Sequence, residues 1–272
     1  MSSLAGGARR GAGLGPLQMA RLVGVGWVHH VRNISASRFF LVTTIFLPVL
    51  LATVAFFMFR AGAREGSLLY ASLGAGVMGI WSSTLFGSGG AIQWARREGT
   101  LEVQVASPAG YFWVLLPQTI ATATIGLYSL LATLVWGRLL FGVPFSVEHP
   151  LAFALAVPVT VLGLGMLGLL MASTFVLYRH ANALSNMLEF PVLFVSGLLV
   201  PLSQLPGWLR PVGWLLAPTW GMRAVRAAAL GGDPWTPLGV TLGLAAAYLV
   251  LGALFLRLFL RLARERATLA LT

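Results

Sequence analysis

The residues best suited to bind another protein lie in one short segment, residues 93–108. Only 9% of the 272 residues are charged, yet this segment holds four charges: Arg96, Arg97, Glu98 and Glu102. Their spacing favours a short helix with both acids on one side, four residues apart, and Pro108 would end it. Charged side chains on an exposed helix can be recognised by a soluble partner.

Groups that could perform catalysis or hold a metal are scattered. Seven acids and four histidines form no cluster in the sequence, and cysteine is absent. The lack of cysteine excludes disulfides, thiolate metal ligands and thiol catalysis. A membrane-embedded enzyme would need convergent acids, histidines or a nucleophile. We therefore predict no catalytic residue and no metal site, and an enzyme is the weakest of the functions considered.

The composition is that of an integral membrane protein. Hydrophobic residues make up 58% of the chain and the mean hydropathy is +0.86. The net charge of +11 comes from 18 arginines and no lysine. Most of the arginines lie at the ends of apolar runs, which favours contact with lipid headgroups over nucleic acid. We expect a lipid bilayer as partner and no nucleic acid.

Six apolar runs are long enough to cross a bilayer, which takes about 20 helical residues. The sequence predicts an all-α integral membrane protein whose transmembrane domain covers residues 37–272. Its six spans are predicted at about residues 39–59, 67–94, 111–136, 151–178, 181–200 and 238–256. The segment 93–108 then becomes a turn between spans 2 and 3.

Two segments precede the first span. Residues 1–16 are rich in Gly, Ala and Ser, and we predict a disordered cytoplasmic tail. In residues 17–36, apolar side chains recur every three or four positions while Arg21 and Arg32 occupy another face. This pattern is typical of an amphipathic helix lying in the headgroup layer. A helix packed on a soluble domain is the alternative, but the sequence contains no such domain.

The arginines also predict an orientation. Counted over alternate sides of the six spans, twelve arginines fall on the side of the termini and six on the other. Because positive residues favour the cytoplasmic side, both termini and the 93–108 segment are predicted to be cytoplasmic. The protein would be a multi-pass protein of the cell (inner or plasma) membrane.

Between spans 5 and 6, prolines alternate with tryptophans in pieces too short to cross a bilayer. Tryptophan favours the membrane interface. We predict re-entrant helices that dip into the outer leaflet and return, marked by Pro201, Pro206, Trp208, Trp214, Pro218 and Trp220.

Two separate segments resemble one family. Residues 97–102 (Arg-Glu-Gly-Thr-Leu-Glu) with Ala-Ser-Pro at 106–108 resemble the cytoplasmic loop after the second span in permease subunits of type-2 ABC exporters. The likeness is to the branch of daunorubicin-type drug and lipo-oligosaccharide exporters. Residues 196–208 and 218–221, followed by Arg226, are similar to the extracellular re-entrant region of the same family.

This resemblance implies a function and partners. The chain would be the transmembrane subunit of an ATP-driven exporter, and its loop would be the coupling helix that docks on a separate ABC ATPase. The coupling residues would be Arg96, Arg97, Glu98, Gly99, Thr100, Leu101 and Glu102. A second permease, identical or related, would complete the path for a hydrophobic drug-like or lipid-linked substrate.

Nucleotide binding is expected in the partner. A P-loop needs a lysine that reaches the phosphates, and this sequence has none. We therefore expect this chain to bind no cofactor, with ATP and Mg held by the ATPase subunit.

Glu189 is the acid placed deepest in a predicted span, about 12 Å along the fifth helix. A charge in lipid is unfavourable, so the side chain should face protein or water. With Asn186 and Pro191 it could line the pathway or contact the second permease. Equally, it could hold helices together through Arg179, Asn186 or Ser185. An ion-coupled carrier, the alternative function, would usually show several such buried groups.

Overall fold

The computed structural model describes residues 15–61, 68–107, 109–143, 147–175, 181–198, 202 and 205–265. Every regular element longer than a single turn in these ranges is an α-helix. In chain order they are α1 (Pro16–Ala36), α2 (Arg38–Ala61), α3 (Leu68–Arg97), α4 (Leu101–Val105), α5 (Tyr111–Ile125), α6 (Leu127–Phe141), α7 (Pro150–Phe175), α8 (Ala181–Val195), α9 (Arg210–Trp214), α10 (Ala217–Leu230) and α11 (Trp235–Glu265). The predicted tail lies almost wholly outside the described residues.

Five stretches of the described chain are long and apolar enough to cross a membrane, by length and composition. They are Phe40–Phe57, Leu68–Arg97, Tyr111–Phe141, Pro150–Phe175 and Trp235–Leu262. The predicted fifth span is represented by α8, whose 15 residues measure about 22 Å, less than the roughly 30 Å of a hydrocarbon core. The all-α membrane fold is confirmed, and the count of six spans stays a prediction.

The helix α3 is the centre of the bundle. In the most apolar stretch of α3, 83% of the residues are buried, whereas 28% are buried in the corresponding stretch of α11 and 22% in that of α2. It contacts α2, α5, α6, α7, α8 and α10. The core around it contains Trp81, Leu85 and Ile92, each almost fully buried. A helix so enclosed fixes the positions of its neighbours.

The helices α5 and α6 run antiparallel to α3 and form a long hairpin with it. Thr133 Oγ1 donates to the carbonyl of Ser72 at 3.2 Å, and Ser83 Oγ donates to that of Thr122 at 3.0 Å. Moving along α3 therefore means moving back along α6 and α5. The pairing places the end of α3 beside the start of α5, with residues 98–110 at the tip.

Close backbone approach holds this hairpin together. A Cβ atom at Gly126 would collide with the backbone of Ile80, and one at Gly79 would collide with Ser129. The sequence Gly74-Ala-Gly-Val-Met-Gly79 matches a dinucleotide-binding pattern literally, but it lies inside α3 with no strand before it. Its glycines serve helix packing. Gly126 also separates α5 from α6 within the predicted third span.

The helices α1 and α2 lie against the same hairpin. Ser129 Oγ donates to the carbonyl of Thr44 at 2.5 Å, which joins α2 to α6. The indole N–H of Trp27 donates to Thr124 Oγ1 at 3.1 Å, which joins α1 to α5. A helix thus occupies the stretch predicted to be amphipathic. His30 is partly buried there, and burial together with His29 lowers the pKa of its imidazole.

The helices α7, α10 and α11 form the other side of the bundle. The N-terminal end of α10 is attached to α11, because the amide N–H of Ala217 donates to the Tyr248 hydroxyl at 3.2 Å and that hydroxyl donates to the carbonyl of Leu215. Gly221 of α10 lies against Thr160 of α7. The sequence also predicted short helices between spans 5 and 6, and the structure has two helices there, α9 and α10. The longer one, α10, is packed against protein over most of its length.

The Asp233 carboxylate stabilises the start of α11. Its oxygens accept from the Trp235 amide at 2.9 Å and from the Thr236 hydroxyl at 2.6 Å. These bonds favour the ionised form and hold the pKa of Asp233 below its ordinary value. The helix then continues to Glu265, nine residues beyond the predicted end of the last span at 256.

We expect the close packing at Gly126 to be sensitive to a single methyl group. Its φ of −58° and ψ of −18° suit alanine, so Gly126→Ala changes packing and not backbone strain. Overpacking costs about 1 to 3 kcal/mol, which should lower the thermal midpoint of the purified protein by several degrees. Gly90→Ala in α3 is the control, since no atom lies within 4 Å of its Cβ position. Equal midpoints for the two variants would contradict the proposed packing.

Candidate functional site

The turn that ends α3 is specified by Gly99. The Thr100 amide donates to the carbonyl of Ala95 at 2.8 Å, and the Gly99 amide donates to that of Arg96 at 3.2 Å. These two bonds define a Schellman motif, whose penultimate residue adopts a left-handed conformation. Gly99 has a φ of +67°, which glycine reaches without strain. The chain is thereby turned from α3 into α4.

The helix α4 has a buried side and an exposed side. Leu101 and Val105 are buried and belong to the main hydrophobic core. Glu102 and Val103 are exposed, as are Arg97 and Glu98 just before the turn. The buried side attaches the loop to the bundle, so the exposed residues are presented on a supported surface.

One prediction about this loop is wrong. Glu98 and Glu102 were expected on one side of a single helix, but Glu98 lies in the final turn of α3 and Glu102 lies in the separate helix α4. The left-handed conformation at Gly99 interrupts the helix between them. The predicted stop at Pro108 lies outside the described residues, and α4 already ends at Val105.

The loop extends well beyond the level at which α2 begins. Ser129, which contacts Thr44, is 18 residues after the start of α5, or about 27 Å along the helix. Arg38, the first residue of α2, is six residues before Thr44, or about 9 Å. The difference places the loop about 18 Å past Arg38, at one end of the bundle.

A cavity of about 760 Å³ lies beside the loop. Its walls come from residues 105–107 and 109–113 and from the C-terminal part of α11, including Arg257 and Arg261. The sequence indicated these arginines as positive residues at a membrane boundary, but not as neighbours of the loop. Their proximity follows from the length of α11 and its packing along α7.

Glu189 is buried against α3. Its carboxylate accepts a hydrogen bond of 2.6 Å from Ser82 Oγ, and its backbone carbonyl accepts one of 3.4 Å from the Trp81 indole. The side chain of Glu189 is 5% exposed. Of the partners considered from sequence, Arg179 lies outside the described residues, and Ser185 donates to the carbonyl of Leu85. Ser82 was missed because 107 positions separate it from Glu189.

The neighbours of Glu189 on α8 point elsewhere. Asn186 and Pro191 are exposed while Glu189 is buried. Ser82 is next to Ser83 of α3, which donates to the carbonyl of Thr122 in α5. Thr122 is two residues from Thr124, which contacts Trp27 of α1. Glu189 therefore lies at about the level of the Trp27 contact of α1 and the first turns of α2, which is midway along α3, since Ser82 is the fifteenth of its 30 residues.

The predicted re-entrant segment lies at the end of the bundle opposite the loop. Trp208 and Trp214 are largely exposed, whereas Pro218 is buried. Trp220 is held by its indole, which donates to the carbonyl of Trp214 at 2.7 Å. Pro206 is exposed, and Pro201 lies outside the described residues. Within the described chain, no three His, Asp or Glu side chains come together in a group that could hold a metal ion.

Comparison with models of protein families gave a match over most of the chain. A family model described as ABC-2 type transporter covers residues 22–230, from α1 to the end of α10. No curated protein matched the sequence.

The hydrogen bond between Ser82 and Glu189 gives a test of what holds α8 to α3. Ser82→Ala leaves a buried carboxylate without this donor, which should cost about 1 to 3 kcal/mol and lower the thermal midpoint. Ser88→Ala in the same helix is the matched control, because Ser88 Oγ is buried with no hydrogen-bond partner in the described structure. We expect Ser88→Ala to match the native midpoint. An equal loss in both variants would show that the Ser82 bond contributes nothing specific.

Proposed function

This chain belongs to the ABC-2 type transporter family and is the transmembrane component of an ABC exporter, in which we propose that residues 95–108 dock on a separate ABC ATPase subunit. The observation that carries this proposal is the projection of the loop by about 18 Å beyond the start of α2. A soluble subunit could reach this surface without entering the bilayer.

The chemistry of the loop supports the same role. Glu98, at the end of α3, and Glu102, in α4, are exposed acids whose relative position is set by Gly99. Leu101 and Val105 connect α4 to the core, so a force on the exposed side is passed to α3 and α5. Arg257 and Arg261 add positive charge beside the loop. ATP and Mg would be bound by the partner, since this sequence has no lysine for a P-loop.

A second permease, identical or related, would complete the transport path. The outward surfaces of α2 and α11 are apolar and mostly exposed in the single chain. Such surfaces suit either lipid or another permease. We propose a complex of two permeases and two ATPase subunits in the cell membrane, with both termini and the loop cytoplasmic.

The substrate class follows from the resemblance of the loop and re-entrant segment to daunorubicin-type drug and lipo-oligosaccharide exporters. A hydrophobic drug-like or lipid-linked molecule fits a bundle whose exposed surface is largely apolar. ATP-driven export by this family accounts for the features better than an ion-coupled carrier, because Glu189 is engaged with Ser82 and has no second buried acid beside it in the described chain.

For Glu189 a pathway role stays a prediction. Its contact with Ser82 favours a role in keeping α8 attached to α3 at about the level where the hairpin leaves the bundle. In that role Glu189 would transmit movement of the loop to α8, the helix that leads to the re-entrant segment.

Single cysteines test the orientation without background, because the native sequence has none. We expect Ser107→Cys, in the loop, to resist a membrane-impermeant maleimide in intact cells. Ser146→Cys, between α6 and α7, should react. Permeabilised cells provide the control, in which both positions should react. Labelling of Ser107→Cys from outside would overturn both the orientation and the docking role.

Replacing the two loop acids tests the docking itself. Glu98→Ala with Glu102→Ala should leave insertion and thermal midpoint unchanged, because exposed charges contribute little to stability. Loss of charged interface contacts costs about 2 kcal/mol or more, so the ABC ATPase co-purified with the tagged permease should fall more than tenfold. Quantitative mass spectrometry measures this amount.

The matched control for that experiment is Glu148→Ala, which removes an exposed acid at the opposite end of the bundle. We expect this variant to retain the native amount of ATPase. Native co-purification by the double variant, with native export, would show that the loop acids do not form the docking surface.

A further inference from the structure

A second cavity lies at the end of the bundle opposite the loop. It measures about 290 Å³ and lies between the first turn of α3, the turn after α8, and α10. Its polar lining residues are Tyr70, Ser196, Thr219, Arg223 and Arg226. Two arginines thus share a small space with hydroxyl groups and an aromatic ring.

Arg226 is partly buried and is held by neutral groups. Its guanidinium donates to the carbonyls of Leu198 at 2.9 Å and of Gly197 and Tyr70 at 3.4 Å, and its central carbon lies 3.3 Å from the centre of the Tyr70 ring. These contacts position the guanidinium against Gly74 of α3. Its Nε is buried and makes no hydrogen bond within the described structure.

A purely structural role would explain the carbonyl contacts, since an arginine can satisfy the last carbonyls after a helix. It would not explain the second cation. Arg223 also lines the cavity, stacks on the Trp220 ring at 4.8 Å, and makes no hydrogen bond within the described residues. Two like charges around one cavity are unfavourable unless something of opposite charge is bound between them.

Among the described residues that line the cavity, none is an acid that could provide that charge. Residues 66–97 and 190–232 contain no Asp or Glu, and these ranges include every lining residue and the segment between α8 and α9. Of the acids near these elements in the described chain, Glu189 of α8 is bonded to Ser82, and Glu148 lies against Gly231 just after α10. Ser82 is eight residues, or about 12 Å, beyond Gly74 on α3. The cavity therefore carries two positive charges that the described protein does not neutralise.

The hydrogen-bonding pattern of the lining favours an acceptor as ligand. The hydroxyls of Ser196 and Thr219 already donate to the carbonyls of Leu193 and Gly213. On the two arginines, the Nε–H and one Nη1–H of Arg226 and the guanidinium of Arg223 make no hydrogen bond within the described residues. Guanidinium groups match the oxygens of phosphate in geometry and charge.

We propose that this cavity binds the phosphate of a lipid or lipid-like amphiphile with net negative charge. Tyr70 is the third residue of α3, so the cavity lies at the depth of headgroups and not of acyl chains. In the orientation of the proposed function, on which this placement rests, these are headgroups of the outer leaflet. The site would receive the anionic end of an exported amphiphile or of a membrane lipid.

The test uses the full-length chain in nanodiscs containing equal amounts of phosphatidylglycerol and phosphatidylcholine. Native mass spectrometry after release counts the lipids that remain bound. The native protein should retain phosphatidylglycerol in excess over phosphatidylcholine. Arg226→Gln should reduce this excess about tenfold, as expected for loss of a charge-assisted hydrogen bond.

Two further variants keep the result interpretable. Arg223→Gln should fold normally, because the exposed guanidinium of Arg223 contacts a single ring, and it should lower the excess independently. Arg138→Gln is the matched control, since Arg138 is an exposed arginine at the end of α6 on the same side of the bundle and does not line the cavity. It should retain the native excess. An unchanged excess in Arg223→Gln and Arg226→Gln, or an equal loss in Arg138→Gln, would overturn the proposal.

Added inorganic phosphate distinguishes the two sources of the anion. Displacement of phosphatidylglycerol by phosphate would show that the cavity takes the free anion as well as the lipid. Retention of the lipid would show that the acyl chains are required. The assay contains no ATPase, so failure of the docking proposal would leave its result unaffected, and failure of lipid binding would leave the docking proposal intact.

Discussion

The fold depends on how closely α3 approaches α5 and α6. In lipid, apolar side chains gain little by leaving one apolar environment for another, so helices associate through close packing and polar contacts. Here the glycines at 79 and 126 bring two backbones together, and the hydroxyls of Ser83 and Thr133 donate across the interface to carbonyls. Each such bond also gives a hydroxyl group a hydrogen-bond partner, which lipid could not provide. These contacts hold together the hairpin that carries the loop past the level at which α2 begins.

The functional features lie along this hairpin. At its tip, Gly99 turns the chain so that α4 is attached by Leu101 and Val105. Partway along, Ser82 holds Glu189 of α8, and at the far end Gly74 lies against Arg226 of α10. One helix, α3, therefore touches the loop, the α8 contact and the cationic cavity. A shift of α3 along its axis would alter all three of these contacts. Such a shift would therefore couple movement at one end of the bundle to movement at the other.

Much of the fold was predictable because lipid allows few solutions. A long run without charge must be a helix, and five such runs correspond to helices that could cross a membrane. The helix at residues 16–36 and the helices between α8 and α11 were also indicated by their patterns. The details that failed depended on single residues. Gly99 separates Glu98 from Glu102, which were expected on one helix. Gly126 divides α5 from α6, although the apolar pattern continues through it and Tyr111–Phe141 is long enough to be one span.

Contacts between distant residues could not be predicted. The bond between Ser82 and Glu189 and the bond between Arg226 and the carbonyl of Tyr70, 156 positions apart, depend on how helices are arranged and not on local spacing. The sequence indicated only that a buried acid needed a partner. It offered nearby candidates on the same helix, whereas the packing of α8 against α3 provided a serine from 107 positions earlier.

The partners of the first two helices have a consequence for biosynthesis. The contact of α2 with α6 joins residues 85 positions apart, and that of α1 with α5 joins residues 97 apart. At about 5 to 20 residues per second, the ribosome needs about 4 to 17 s to make the partner of α2 and about 5 to 19 s to make that of α1. During that interval α2 must remain in the membrane without its final neighbours. Because no charged residue lies between Phe40 and Phe57, the apolar surface of α2 can remain in contact with lipid during this interval.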